Sequence, residues 1–90
     1  MKRTSFLVNE LIKQRRRAAL MSQRDLAEYC QLGKGGMQAL SNIERELCPV
    51  PAKLLVKLVK VLNLDKAEII ELHARDARRE MAAVLGLEYE

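Results

Sequence analysis

The chain predicts an all-α fold of five helices ending in an extended one, and three observations carry that expectation. Its 90 residues are 49% hydrophobic yet hold one Phe, two Tyr and no Trp, so the core must be built from Leu, Val, Ile, Ala and Met, the material of helix packing. Two prolines and few β-branched runs leave little from which to make strands. Apolar residues recur at three- and four-residue spacing, interrupted by glycine, proline or a capping side chain. A chain of this length makes one domain with a modest core, and its stability is expected to lean on a partner.

The first helix is expected from about Ser5 to Ala19, with Phe6 or Leu7 anchoring its start and Val8, Leu11, Ile12, Ala18 and Ala19 as its inward stripe. Met21 should pack in as the chain turns. The run Lys13 to Arg17 wraps more than one helical turn, so its cations cannot all address one partner. Lys13 and Arg17, four apart, share a face that either touches phosphate or is simply solvated; Arg15 lies near the apolar stripe and can snorkel from it.

From Ser22 to Glu44 the sequence reads as two short helices around a glycine-bearing turn. Ser22 is a good N-cap and Asp25, three residues on, can reach back to the cap's own N–H. Leu26, Ala27 and Cys30 give one apolar face. Gly33, Gly35 and Gly36 fall within four positions, so this helix should end near Gln31 or Leu32. The next begins around Gly36 or Met37 and runs to about Arg45, with Leu40 and Ile43 inward and Gln38, Ser41 and Asn42 outward. Short amides and hydroxyls on such turns can hydrogen-bond base edges in a DNA major groove, Gln and Asn pairing with adenine, and the Met37 side chain can touch a thymine methyl. The alternative is an ordinary solvated face.

After Glu44 a loop is closed by Pro49 and Pro51, with Pro51 near the first turn of a fourth helix that reaches about Leu62. Leu54, Leu55, Leu58, Val59, Val61 and Leu62 exceed one stripe, so this helix is central to the core or buries a second face. Asp65 is an N-cap with Glu68 as its box partner, opening a fifth helix that Gly86 ends; Leu87 to Glu90 should be frayed. Ile70, Ala74, Ala77, Met81 and Val84 or Leu85 form a near-heptad seam. The chain therefore divides into a domain over residues 1–73 and a helical extension over 74–90, with Ile70, Ala74, Ala77, Met81 and Leu85 as a dimer interface; alternatively the extension folds back over the first helix. His73 stands alone and reads as a packed or solvated residue.

Residues 1–21 carry six Lys or Arg against one Glu, and 49–64 carry three Lys and no acid, whereas 65–90 carry four basic and seven acidic groups. A basic body with an acidic tail suits a protein that meets phosphate on one side, although the charges could merely keep a small domain in solution. No apolar run approaches a membrane span and the N-terminal apolar stretch is too short for a signal peptide, so a soluble, cytoplasmic protein with no membrane partner is expected. Cys30 and Cys48 lack metal-ligand spacing: Cys30 reads as core and Cys48 as a loop thiol, with no metal and no cofactor expected. A catalytic set is missing as well: there is one histidine, no phosphate loop and no Ser/His/Asp arrangement, so the chain does not read as an enzyme.

The stretches Leu26-Ala27-Glu28-Tyr29-Cys30-Gln31-Leu32 and Leu40-Ser41-Asn42-Ile43-Glu44-Arg45 resemble the second and third helices of the Cro and phage-repressor type of helix-turn-helix, the XRE family. Leu54 to Leu64 resembles that family's fourth helix, and the similarity covers about residues 7 to 73. The chain departs from the pattern twice: seven residues separate Leu32 from Leu40 where four are expected, lengthening the turn by about one helical turn, and Glu46 stands where the pattern has glycine. The resemblance implies a compact, lambda-repressor-like DNA-binding domain, with Arg16 and Glu44 as a structural ion pair. It implies base readout from Met37, Gln38, Ser41 and Asn42. Gln23, at a helix N-terminus, would contact phosphate and brace Gln38; Arg45 and Lys53 would lie along the backbone, Glu46 opposing close approach, and Lys34, Lys13 and Arg17 are further phosphate candidates.

The expected function is thus a sequence-specific DNA-binding transcriptional regulator, a small homodimeric repressor of bacterial or phage type on a palindromic double-stranded operator. The alternative is a protein-interaction module, such as an antitoxin that regulates its own promoter and holds a toxin, or another regulator, with its last helix.

Overall fold

The computed structural model describes residues 6–86, and among them five helices and no strand: α1 (Leu7–Ala18), α2 (Gln23–Tyr29), α3 (Gly36–Glu44), α4 (Ala52–Leu62) and α5 (Lys66–Val84). The fold is all-α, as expected. No described helix is long and apolar enough to cross a membrane. Ile12, Leu26, Leu40, Ile43 and Leu58 are completely shut off from solvent and, with Val8, Leu11, Cys30, Leu54, Leu64 and Ile69, form one core in which α1 touches α3, α4 and α5. In α4 Leu54 and Leu58 are buried while Leu55, Val59, Val61 and Leu62 are half-covered, so this helix does have a second apolar face.

The first helix departs from expectation at both ends. Ser5 lies outside the described residues, as do Leu87 to Glu90, so neither the proposed helix start there nor the frayed tail is described. Ala18 and Ala19 are exposed instead of inward, because α1 closes there and its last turn overshoots the core. Arg15 is exposed and lies 3.8 Å from Glu68 of α5. Glu68 is therefore not a box partner for Asp65, whose carboxylate instead accepts the Ala67 N–H at 2.9 Å.

Phe6 is the N-cap of α1 and brings no acceptor for the orphan N–H groups of the first turn. Distant carboxylates supply them. Asp76 of α5 accepts the N–H groups of Leu7 and Val8 at 3.0 and 3.4 Å, and Glu46 accepts that of Phe6 at 2.6 Å. Acid at this end also complements the helix dipole. Buried Asn9 adds a tie, donating from Nδ2 to the carbonyls of Ile43 and Cys48 at 2.9 and 2.7 Å.

Glu46 occupies the left-handed region, φ 59°, one residue past the C-cap of α3, with its N–H on the Ile43 carbonyl and the Leu47 N–H on that of Asn42. This is the six-to-one closure in which glycine is at home. Glutamate here accepts a backbone strain of about 1 kcal/mol and in exchange caps α1. Its side chain is thus turned toward α1, not out along the loop as an obstacle to a polyanion. Leu20 and Gln31 close α1 and α2 in the same way, with φ 59° and 54°.

Two outcomes follow for stability. Removing the carboxylate in Asp76→Ala should lower thermal stability by about 1 kcal/mol, the usual worth of a cap, even though residue 76 is sixty-nine positions from the Leu7 N–H it serves. Glu46→Gly, trading cap for relieved strain, should stay within about 0.5 kcal/mol of the parent, whereas Glu46→Ala, which loses the cap and keeps the strain, should cost about 1–2 kcal/mol in urea unfolding.

Candidate nucleic-acid interface

The candidate surface is built on α2, the turn after it, and α3. The Ser22 hydroxyl accepts the Asp25 N–H at 3.0 Å and the Asp25 carboxylate accepts the Ser22 N–H at 3.1 Å, a complete capping box that fixes where α2 starts. Leu26 and Ala27 bury the inner face. At Gly36, the first residue of α3, an added Cβ would stand 2.5 Å from the Leu32 Cβ and 3.4 Å from that of Ala27, so only glycine lets the two helices approach this closely. Of the seven residues between Leu32 and Leu40, Gly36 to Ala39 are already α3; the link from α2 runs from Cys30 to Gly35, with Gly33 and Gly35 at positive φ. The N-cap of α3, Gly35, has no side chain with which to cap the helix, and the Gly36 N–H is taken by the Gly33 carbonyl at 3.1 Å.

Glu44 anchors the other end of α3. Its side chain is 4% exposed, and both oxygens are held by the guanidinium fork of Arg16, Nε to Oε2 at 2.6 Å and Nη2 to Oε1 at 2.9 Å. Arg16 Nη1 also donates to the Met21 carbonyl at 2.7 Å, and Gln23 Nε2 to Glu44 Oε1 at 3.1 Å. Burial alone would push the Glu44 carboxyl up; hydrogen bonds from Arg16 and Gln23, with the charges of Arg16 and Lys13, outweigh it and hold the group below the usual carboxylate range. The same bond, against the cost of burial, raises the Arg16 guanidinium. Burial pushes up the Cys30 thiol, which stays protonated in the core.

Gln38, exposed on α3, donates from Nε2 to Asn42 Oδ1 at 3.0 Å. The pair keeps Gln38 Oε1 as acceptor and Asn42 Nδ2 as donor, the two functions that pair with an adenine edge. Met37 is also exposed. Ser41 and Asn42, expected to face out, are half-buried, because the chain turns back at Glu46 and Leu47 bonds the Asn42 carbonyl. Gln23 does not brace Gln38: its amide is committed to Glu44 and half-buried.

The cations fall into separate groups. A groove of about 640 Å³ between α2 and α3 is lined by Arg24, Gly35, Met37 and Gln38 among others, and exposed Lys34 sits in the turn at its edge. Arg24 was absent from the sequence-based candidates; the signal that could have found it is its place as the sole cation of α2, one residue inside the helix start. Lys13 and Arg17 lie with Glu44 and Glu46 around a separate depression on α1. Arg45, the C-cap of α3, and Lys53, in the first turn of α4, are exposed. On α5 the expected seam residues Ile70, Ala77, Met81 and Leu85 are exposed and Ala74 is half-buried, while Ile69 and Ala82 are buried and Asp76 meets α1. The helix runs unbroken across residues 73 and 74, and it lies against α1 while keeping the seam open. Comparison with models of known protein families, with curated proteins and with solved structures finds no match.

The Glu44 carboxyl titrates lower in the folded chain than in the unfolded one, so its stabilisation is complete above the unfolded value of about 4.3 and is lost as pH falls through the folded one. Glu44→Gln, which leaves Arg16 buried without its counter-charge, should be less stable by about 3 kcal/mol at neutral pH. The gap to the parent should narrow on acidification below about pH 4.3, read from denaturant midpoints across pH.

Proposed function

We propose that this chain is a sequence-specific DNA-binding transcriptional regulator of the Cro and phage-repressor type, a small homodimeric repressor that sets α3 and its C-cap Arg45 in the major groove. The observation that carries the reading is the Gln38–Asn42 amide pair on an open face of α3, with Arg24 and Lys34 beside that helix's uncapped start. α3 has no Lys or Arg of its own, so it reads while its neighbours hold. Arg24, Lys34, Lys13 and Arg17 supply phosphate contacts and with them salt-dependent affinity; Gln38 and Asn42 supply preference for adenine, with Met37 toward a thymine methyl. A two-fold dimer would meet half-sites roughly 34 Å apart, one helical turn, and block a promoter lying between or beside them. Gln23, committed to Glu44, acts by fixing α3 more than by reaching a phosphate.

A second reading is favoured by one observation, the apolar seam left open on α5. There the chain is a protein-interaction module, such as an antitoxin holding its toxin along that helix.

The test is an anisotropy titration against duplex DNA from immediately upstream of this protein's own gene and against random duplex, at two salt concentrations. The parent should prefer the upstream DNA and weaken as salt rises, while Gln38→Ala should lose about tenfold or more on the preferred duplex and little on random DNA. Equal binding to both duplexes, unmoved by the substitution, overturns base readout by α3.

A further inference from the structure

The chain passes from α4 to α5 through Asn63, Leu64 and Asp65, and an apolar groove of about 430 Å³ lies between the two helices. Half-covered Leu55 and Val59 and buried Ile69 make its floor. Its lips are Val56, 57% exposed, and Ile70, 69% exposed and also the first residue of the α5 seam. Among the described residues its lining holds no aromatic ring and no side-chain hydroxyl, amide or carboxylate; the only polar side chains are Lys60, from the last turn of α4, and Lys66, the first residue of α5. The groove is thus hydrocarbon throughout, with two cations flanking the turn.

That lining selects the occupant. A polar group in the middle of a bound molecule would lose water and find no partner on the walls, so the body must be unbroken hydrocarbon. Along α4 from Lys60 back to Ala52, at the far end of the groove, the helix rises about 12 Å, which suits a medium-length aliphatic chain. An anion at the other end of that chain meets both lysines, and neither is in an ion pair among the described residues. The acids near them in sequence are occupied: Asp65 accepts the Ala67 N–H, Glu68 faces Arg15 and Glu71 is held by Arg75. An ammonium is a compact charge that takes a carboxylate in any orientation, and two of them leave room for one head group. The volume is that of a small-molecule site. A partner helix, about 10 Å or more across, would rest on the lips and leave the floor unfilled.

We propose that the α4–α5 groove binds a free aliphatic monocarboxylate of medium chain length, its hydrocarbon chain on Leu55, Val59 and Ile69 and its carboxylate between Lys60 and Lys66. The site draws no residue from α2 or α3 and none assigned to DNA, so it stands or falls apart from the reading above.

The probe is decanoate, kept below its micelle concentration and titrated into the full chain by calorimetry and methyl NMR. One decanoate should bind per chain with a dissociation constant below about 1 mM, shifting the methyls of Leu55, Val59 and Ile69. Decyltrimethylammonium, with the same tail and the opposite charge, should bind about tenfold more weakly or worse. Lys60→Gln and Lys66→Gln, both at exposed positions, should keep the helical circular dichroism, weaken decanoate about threefold each and about tenfold together. Val56→Glu, also exposed, should weaken it more than about tenfold by setting a carboxylate on the lip. Absence of saturable binding, an ammonium as tight as the carboxylate, or indifference to the double lysine change overturns the proposal. So do methyl shifts at Val56 and Val59 that follow protein concentration and ignore decanoate, which would assign the groove to a second copy, and co-sedimentation with phosphatidylglycerol vesicles without decanoate binding, which would assign it to a lipid surface.

Discussion

The buried pair of Arg16 and Glu44 is the constraint on which the rest of the structure depends. Glu44 is the only charge in α3, and it is shut away from water. A carboxylate in that position is tolerable only if both oxygens are answered, since an unpartnered buried charge costs several kcal/mol. Arg16 answers both, and its remaining amino group reaches the Met21 carbonyl where the chain passes from α1 to α2. Gln23 adds a donor from the first residue of α2. One carboxylate thus gathers the end of α1, the connection after it, the start of α2 and the end of α3. A planar fork on a planar carboxylate leaves little rotational freedom. Fixing Glu44 on the inner side of α3 fixes which side of that helix presents Gln38 to solvent.

A corresponding arrangement holds the opposite end of α1. Phe6 cannot cap the helix itself, so Glu46 from beyond α3 and Asp76 from the middle of α5 take its leading N–H groups. Asn9, one turn along, bonds the carbonyls of Ile43 and Cys48. Every element that could carry function is therefore hung on α1, α3 by Asn9 and Arg16 and α5 by Asp76. The residues past 73 are part of this arrangement as much as those before it. Because Asp76 faces α1, the opposite side of α5, with Ile70, Met81 and Val84, is left exposed.

The sequence made the framework legible because its signals are local. Helical periodicity, the Ser22–Asp25 box, the glycine cluster and Gly86 each act within a few residues, and the helices lie close to where those signals put them. The Arg16–Glu44 contact came from resemblance to a family pattern, not from spacing. What stayed hidden depends on contacts distant in sequence. Nothing near Phe6 announces that its N–H will meet Glu46 forty residues away, and an Asn in a basic amphipathic helix does not advertise that it is buried. Local rules also misled where the chain leaves the helix. Ala18 and Ala19 continue the apolar stripe on paper, but the helix closes beneath them; Ser41 and Asn42 look outward until the chain doubles back past Glu46. The departure from the family's glycine at position 46 reads as a defect in sequence and as a cap in three dimensions.

That exchange at Glu46 bears on how the proposed reading helix could work without a cation of its own. A polyanion approaching the end of α3 would be repelled by a carboxylate pointing outward along the loop. With Glu46 turned onto the α1 N-terminus and Glu44 neutralised by Arg16, the acids at this end of the helix are both engaged internally. On the proposed reading Arg24 and Lys34 beside the start of α3, with Lys13 and Arg17 on α1, would supply the positive field in which its amides act, against Glu28 in the same groove. On that reading affinity and selectivity would rest on different side chains on different elements, held in fixed relation by α1. Such a division would let the amides proposed to discriminate bases change without disturbing the cations proposed to hold the DNA backbone, provided that the Arg16–Glu44 pair keeps α3 in its present rotation.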